Sequence, residues 1–214
     1  MGHGTRLYSA QLAGTIAVVG SLTTGSTAEQ RPFDLDLRVL TYRGLAATDI
    51  ELAHHTAADL LSTAGLRIDW HTCSAAACTA PSGARRIILV HLLPITSHAA
   101  PDTSGEVVRD PTSQEPAVLV YVPRINALLH DFPRRRSHPA LASLALGHLI
   151  GLTIAHEIGH ALGRGHSEVG PMKPRPGPDD IIAMREGRLR FRPRLRRRRQ
   201  NKTATSIITW VRGL

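Results

Sequence analysis

Cysteine is scarce in this chain of 214 residues: Cys73 and Cys78, five apart in "WHTCSAAACTAP", are the only two. That spacing excludes a CxxC redox pair, and two thiols are too few for a cysteine-rich zinc site. In an oxidising compartment a disulfide closing the small loop is the first choice; in a reducing one the two would be buried thiols. A membrane span near the N-terminus is lacking as well. The apolar stretch there, "LAGTIAVVG" at 12–20, falls short of the roughly 20 residues that cross a bilayer. Internal repeats are absent. Aromatic residues make up only 4%, and no nucleic-acid motif is visible.

The body of the chain also lacks net charge. The formal charge is +9, but residues 185–202, "REGRLRFRPRLRRRRQNK", hold ten of the 26 basic residues and one of the 17 acidic ones. Sixteen of each sign remain elsewhere and cancel. Phe191 is the one aromatic side chain within this run, so it would meet nucleic acid or an anionic membrane through charge alone. Dense like charge usually belongs to a solvated segment, so weak contact with anionic surfaces is expected of 185–202 and specific nucleic-acid recognition is not.

What is present fits a single domain with a sizeable core, since 42% of the residues are apolar and 20% charged. Arg6, the apolar stretch at 12–20 and the small residues "STA" at 26–28 together read as a secretory signal cleaved after Ala28. The alternative is a disordered N-terminus. Arg6 stands where N-myristoylation would want Ser or Thr, which argues against a lipid anchor. The expected organisation is a signal at 1–28, a folded domain at 29–184 and an Arg-rich tail at 185–214.

Alternation of apolar and polar residues predicts a strand at 33–42, and helical spacing ending in Gly65 predicts an amphipathic helix over 46–65. Further strands are predicted at 66–70, 86–93 and 117–123, the last two covered on both faces. Between them, the Pro-, Ser- and Gly-containing segment 94–116 reads as a long surface loop with room for a short edge strand near Val107. A short helix is expected at 124–132. Residues 141–163, "LASLALGHLIGLTIAHEIGHALG", read as one long helix that is apolar nearly all round and therefore buried. Its glycines at 147, 151 and 159 would permit close packing against a neighbour. Strand, helix, strand and then a buried helix indicate an α/β or α+β domain.

Chemistry concentrates in "HEIGHALGRGH" at 156–166. Residues four apart on a helix share a face, with Cβ atoms roughly 5 to 6 Å apart. His156 and His160 therefore point the same way, and each can offer a ring nitrogen to one ion. Glu157 is turned about 100 degrees from His156 and can lean over a metal-bound water without being a ligand. His166 is the candidate third ligand, but a continued helix would rotate it about 600 degrees from His160, off the shared face. The chain must leave the helix first, and Gly163 is the residue able to take positive φ there. His148 lies eight residues before His156, about 80 degrees around the helix, and reads as packed rather than liganding. His54 and His55 read as solvent-facing or bordering on their helix. A lone HExxH is weak, and core histidines satisfied by hydrogen bonds are the bland alternative. The elongated motif would arise by chance in such a chain on the order of once in ten thousand.

That motif matches every fixed position of HExxHxxGxxH, so the chain resembles the metzincin metallopeptidases, and the following Ser167 is similar to the matrixin branch. The family also carries a methionine in a tight turn beneath the metal; "GPMKP" at 170–174 looks like that turn, with Met172 as its methionine. Met184 stands in a helix-like stretch without turn residues. The resemblance implies a twisted mixed sheet, a long active-site helix and a small irregular C-terminal part. It further implies Zn2+ on His156, His160 and His166, with Glu157 as general base. The activity implied is a secreted, monomeric zinc endopeptidase that takes a peptide or protein substrate as an extra strand on a sheet edge, sought here in 94–116. Two departures stand out. The interval from His166 to Met172 is shorter than animal matrixins usually have, which bears on the pocket for the residue after the scissile bond, and no cysteine-bearing prodomain is visible. A competing expectation is a non-catalytic, zinc-stabilised binding protein whose Arg-rich tail meets acidic surfaces. A nucleic-acid-binding protein with an incidental motif would depend wholly on 185–202.

Overall fold

Alternating strands and helices follow one another through the residues that the computed structural model describes: 33–73, 86–95, 103–109, 115–131 and 138–192. The expected signal segment, Cys78 and the basic run beyond residue 192 lie outside them, and with Cys78 so does the expected pairing with Cys73.

β1 (Phe33–Leu40) buries Leu35, Leu37 and Val39 on one face, as its alternation requires. α1 (Ala47–Ser62) follows, then β2 (Leu66–Cys73), β3 (Arg86–Leu93), β4 (Gly105–Arg109) and β5 (Pro116–Tyr121). The sheet order is β2-β1-β3-β5-β4. β1 pairs in parallel with β2 and β3, β3 pairs in parallel with β5, and β4 runs antiparallel to β5 at one edge. The chain is thus a mixed α/β fold. β2 runs three residues past its predicted end because Leu40 still pairs with Cys73. The short strand foreseen near Val107 is β4.

α2 (Val122–Asp131) leaves β5 without a loop, two residues before its predicted start. The single helix expected over 141–163 is instead two: α3 (Pro139–Ala142) and α4 (Leu146–Ala161). The break is made by Ala145, extended at φ −112° and ψ 162°, whose N–H donates to Nδ1 of His148 at 3.0 Å. His148 therefore caps the start of α4, an interaction that hydrophobic periodicity cannot reveal.

α1 and α4 cover one face of the sheet. Ala53, Ala57 and Leu61 from α1 and Ile150, Ile154 and Ile158 from α4 meet Leu35, Leu37, Ile88, Val90, Val118 and Val120 from the strands, all of them buried. Burying each of the larger aliphatic side chains contributes roughly 1.5 to 3 kcal/mol. The two helices approach closely because a Cβ on Gly151 would stand 2.6 Å from the Ala53 carbonyl oxygen, and one on Gly147 would strike the Asp49 carbonyl.

After α4, residues 162–177 form no helix or strand, and α5 (Pro178–Arg185) follows. The chain then folds back as a strap. Leu189 is 7% exposed and Phe191 4%, and both belong to the core. The solvated character expected from residue 185 onward does not hold for this part of the run, where two apolar side chains alternate with outward-facing arginines.

Candidate metal centre

The last two turns of α4 carry His156 and His160 on one face, their ring centroids 4.7 Å apart. The helix then ends in a pair of hydrogen bonds that reverse the chain: Gly163 N–H donates to the His160 carbonyl at 2.8 Å, and Arg164 N–H to the Gly159 carbonyl at 2.9 Å. Gly163 takes φ +76°, a left-handed conformation that would strain any residue with a Cβ. The reversal brings His166 back over the helix, with its ring centroid 4.6 Å from that of His160.

The three imidazoles converge through the same atom. His160 Nε2 lies 3.0 Å from His156 Nε2 and 3.1 Å from His166 Nε2. Two of the rings are oriented by main-chain carbonyls: His156 Nδ1 meets the Pro171 oxygen at 2.8 Å, and His160 Nδ1 meets the Arg164 oxygen at 2.9 Å. A carbonyl oxygen only accepts, so in both rings Nδ1 carries the proton and the neutral ring leaves a lone pair on Nε2. Burial pushes the His156 pKa down to about 4 and lowers that of His160, so both rings are neutral near pH 7.

Two facing lone pairs 3.0 Å apart repel each other unless a cation lies between them. Nitrogens bound tetrahedrally to one zinc at 2.0 to 2.1 Å would be about 3.3 Å apart, close to these separations. His156, His160 and His166 are the one group of three or more His, Cys, Asp or Glu among the described residues whose ligand atoms could hold a metal ion, all lying within 4.8 Å of one another. The donor set fits zinc, with three imidazole nitrogens leaving a position open.

Glu157, 6% exposed, turns away from the imidazole face toward the edge strand. A Cβ on Gly105 of β4 would stand 2.9 Å from its Cγ and 3.1 Å from its Oε1, so only glycine leaves room for the carboxylate beneath β4. Burial first, and then the negative charge of Glu106, raise the Glu157 pKa to about 7. Glu106 is itself held by the hydroxyl of Tyr121, which donates to its Oε1.

Met172 is buried beneath the site, and the turn carrying it is closed by Ser167 N–H donating to the Met172 carbonyl at 3.0 Å. Met172 reaches the helix because Gly159 has no Cβ: an added one would strike Sδ of Met172 and come within 3.3 Å of the Phe191 ring. Met184 lies in the last turn of α5 rather than in a loop beneath the histidines. His54 stacks on Trp70 and His55 faces Glu51, neither near the three histidines.

Several members of this site carry no readable signal in the sequence. Gly105 and Glu106 meet Glu157 because α4 packs against β4, Tyr121 reaches Glu106 across the β4–β5 pair, and Pro171 and Arg164 act through carbonyls common to every residue. Phe191 does leave a trace: it and Leu189 are apolar residues spaced by two inside a basic run. No protein-family model matches this chain, and no curated protein matches it.

Proposed function

We propose that the protein is a secreted zinc-dependent endopeptidase. The convergence of three imidazole Nε2 atoms, with a buried carboxylate on the residue that follows the first of them, carries this reading. His156, His160 and His166 would hold the ion, which when bound polarises the scissile carbonyl and draws the pKa of the attacking water toward about 7.

Glu157 does the proton work. Its desolvated carboxylate accepts the proton of the water as the new C–O bond forms and returns it to the amine nitrogen as the C–N bond breaks. A bound cation would draw its pKa back down, keeping the carboxylate ionised for that role. β4 supports a place for the substrate: it is one edge strand of the sheet, and its Gly105 lies against Glu157. An extended peptide added to this edge would bring its backbone close to the base while its alternate side chains project from the sheet.

The test compares the purified chain with two variants on a mixture of unfolded proteins, with new peptide ends identified by mass spectrometry and metal content measured in parallel. Glu157→Ala should keep its zinc and lose cleavage; His160→Ala should lose zinc affinity as well. Hydrolysis retained by Glu157→Ala would overturn the mechanism. A zinc-loaded, folded protein with no cleavage would favour a metal-stabilised binding module.

A further inference from the structure

The outer hydrogen bonds of the metal centre both rest on segments that the C-terminal strap touches. Arg164, whose carbonyl receives His160 Nδ1, places its guanidinium carbon 5.0 Å from the centroid of the Phe191 ring and donates from Nη1 to the Arg192 carbonyl at 3.0 Å. Gly170, which precedes the Pro171 that receives His156 Nδ1, packs so closely on the strap that an added Cβ would stand 2.6 Å from the Arg190 carbonyl oxygen. The Phe191 ring also lies against Gly159, between the two histidines of α4 and next to Met172. The strap is anchored from the other side, where Phe191 N–H donates to Thr63 Oγ1 at 3.0 Å and that hydroxyl donates to the Leu60 carbonyl at 2.7 Å.

We infer that residues 190–192 position the metal ligands, with Phe191 and Arg164 holding the carbonyls that orient His160 and His156. The inference rests on the proposed metal site. A ring over a guanidinium is a directional contact, and between buried or half-buried groups it fixes the Arg164 backbone better than apolar packing alone. With the carbonyl held, the His160 ring keeps its tautomer and its aim; when the strap loosens, both relax together. Residues 190–192 of the Arg-rich run thus belong to the site.

The test titrates the metal-free, full-length protein with cobalt(II), following the visible d–d bands, and ranks zinc affinity by competition. Arg164→Met keeps the length of the side chain but loses the cation; Phe191→Leu keeps apolar volume but loses the ring; Phe191→Tyr retains the ring. Losses of partners that orient metal ligands typically cost 10- to 100-fold in affinity, and because the carbonyls themselves remain, roughly 10-fold is expected for each of the first two variants. Both should alter the cobalt bands, the double variant should lose little more than either single one, and Phe191→Tyr should bind as the unsubstituted protein does.

A purely structural strap would lower the melting temperature of Phe191→Leu while leaving zinc affinity and cobalt bands unchanged, and that result would overturn the inference. Should Phe191→Leu fail to fold, Arg164→Met decides on its own, since its half-exposed side chain is not part of the core. A different failure identifies itself: if the unsubstituted protein binds cobalt no better than His160→Ala does, the metal reading falls and the strap's role falls with it.

Discussion

The two halves of α4 use glycine for the same purpose and different ends. In the first half, Gly147 and Gly151 let a neighbouring helix approach until backbone meets backbone, and the neighbour is α1, a rigid element. In the second, Gly159 admits the tip of a methionine and the edge of a phenylalanine ring, both side chains on an irregular segment. The first contact ties the helix to the domain. The second lets two separate loops reach the end of the helix that carries His156 and His160. The same missing Cβ therefore supports the fold at one end of the helix and the site at the other.

The contrast is most sharply broken at Glu157, which shares the helix with both halves but packs against β4. Glu157→Gln preserves shape and removes the proposed base, so if the proposed function holds the cleavage rate should fall by about 10²- to 10⁴-fold with little change in the urea midpoint. Next in size is Gly151→Ala. Its Cβ would press on the Ala53 carbonyl, which cannot move without its helix, so a loss of roughly 1 to 3 kcal/mol is expected in urea unfolding, with zinc affinity nearly intact. Gly159→Ala should reverse that pattern: the Met172 side chain is flexible and can give way, so stability should fall by only about 1 kcal/mol while zinc affinity drops measurably. Equal effects of the two glycine substitutions on stability and on metal would erase the distinction.

The smallest effect expected lies at the edge strand. Burial and the hydrogen bond to Glu106 push the Tyr121 pKa up to about 12. Because the folded value is raised, the phenol contributes stability in full below its ordinary pKa of about 10, and that contribution is lost as pH rises from there through 12. Glu106→Gln removes the negative charge, so absorbance titration of the phenolate should show the Tyr121 midpoint moving down toward 10. An unmoved midpoint would mean that burial alone sets it.

Much of this architecture could be read in the sequence because it is written in local patterns. Alternation marked β1, apolar runs marked β3 and β5, and the i, i+4 spacing with a following glycine told where three imidazoles would meet. The start of α4 could not be read that way, since residues 141–145 are as apolar as the helix and only the contact between His148 and the Ala145 amide divides them. Gly105 gave no sign of its closeness to Glu157, 52 positions away, which depends on how α4 packs under the edge strand β4. The charge of 185–202 masked Leu189 and Phe191, because an average over the run outweighs two apolar residues whose burial is decided by partners in α1 and α4.

The imidazoles of His156 and His160 are aimed by oxygen atoms that every amino acid possesses. Replacing side chains one at a time, as in an alanine scan, leaves those two acceptors chemically intact, so the scan would reach them only indirectly, through contacts such as that of Arg164 with Phe191. What they depend on is the path of the chain between Ala161 and Met172, and therefore its length. A single residue inserted or deleted in that interval would displace both oxygens at once. Apart from Gly163, Arg164, His166 and Gly170, this stretch should accordingly tolerate changes in identity better than changes in number.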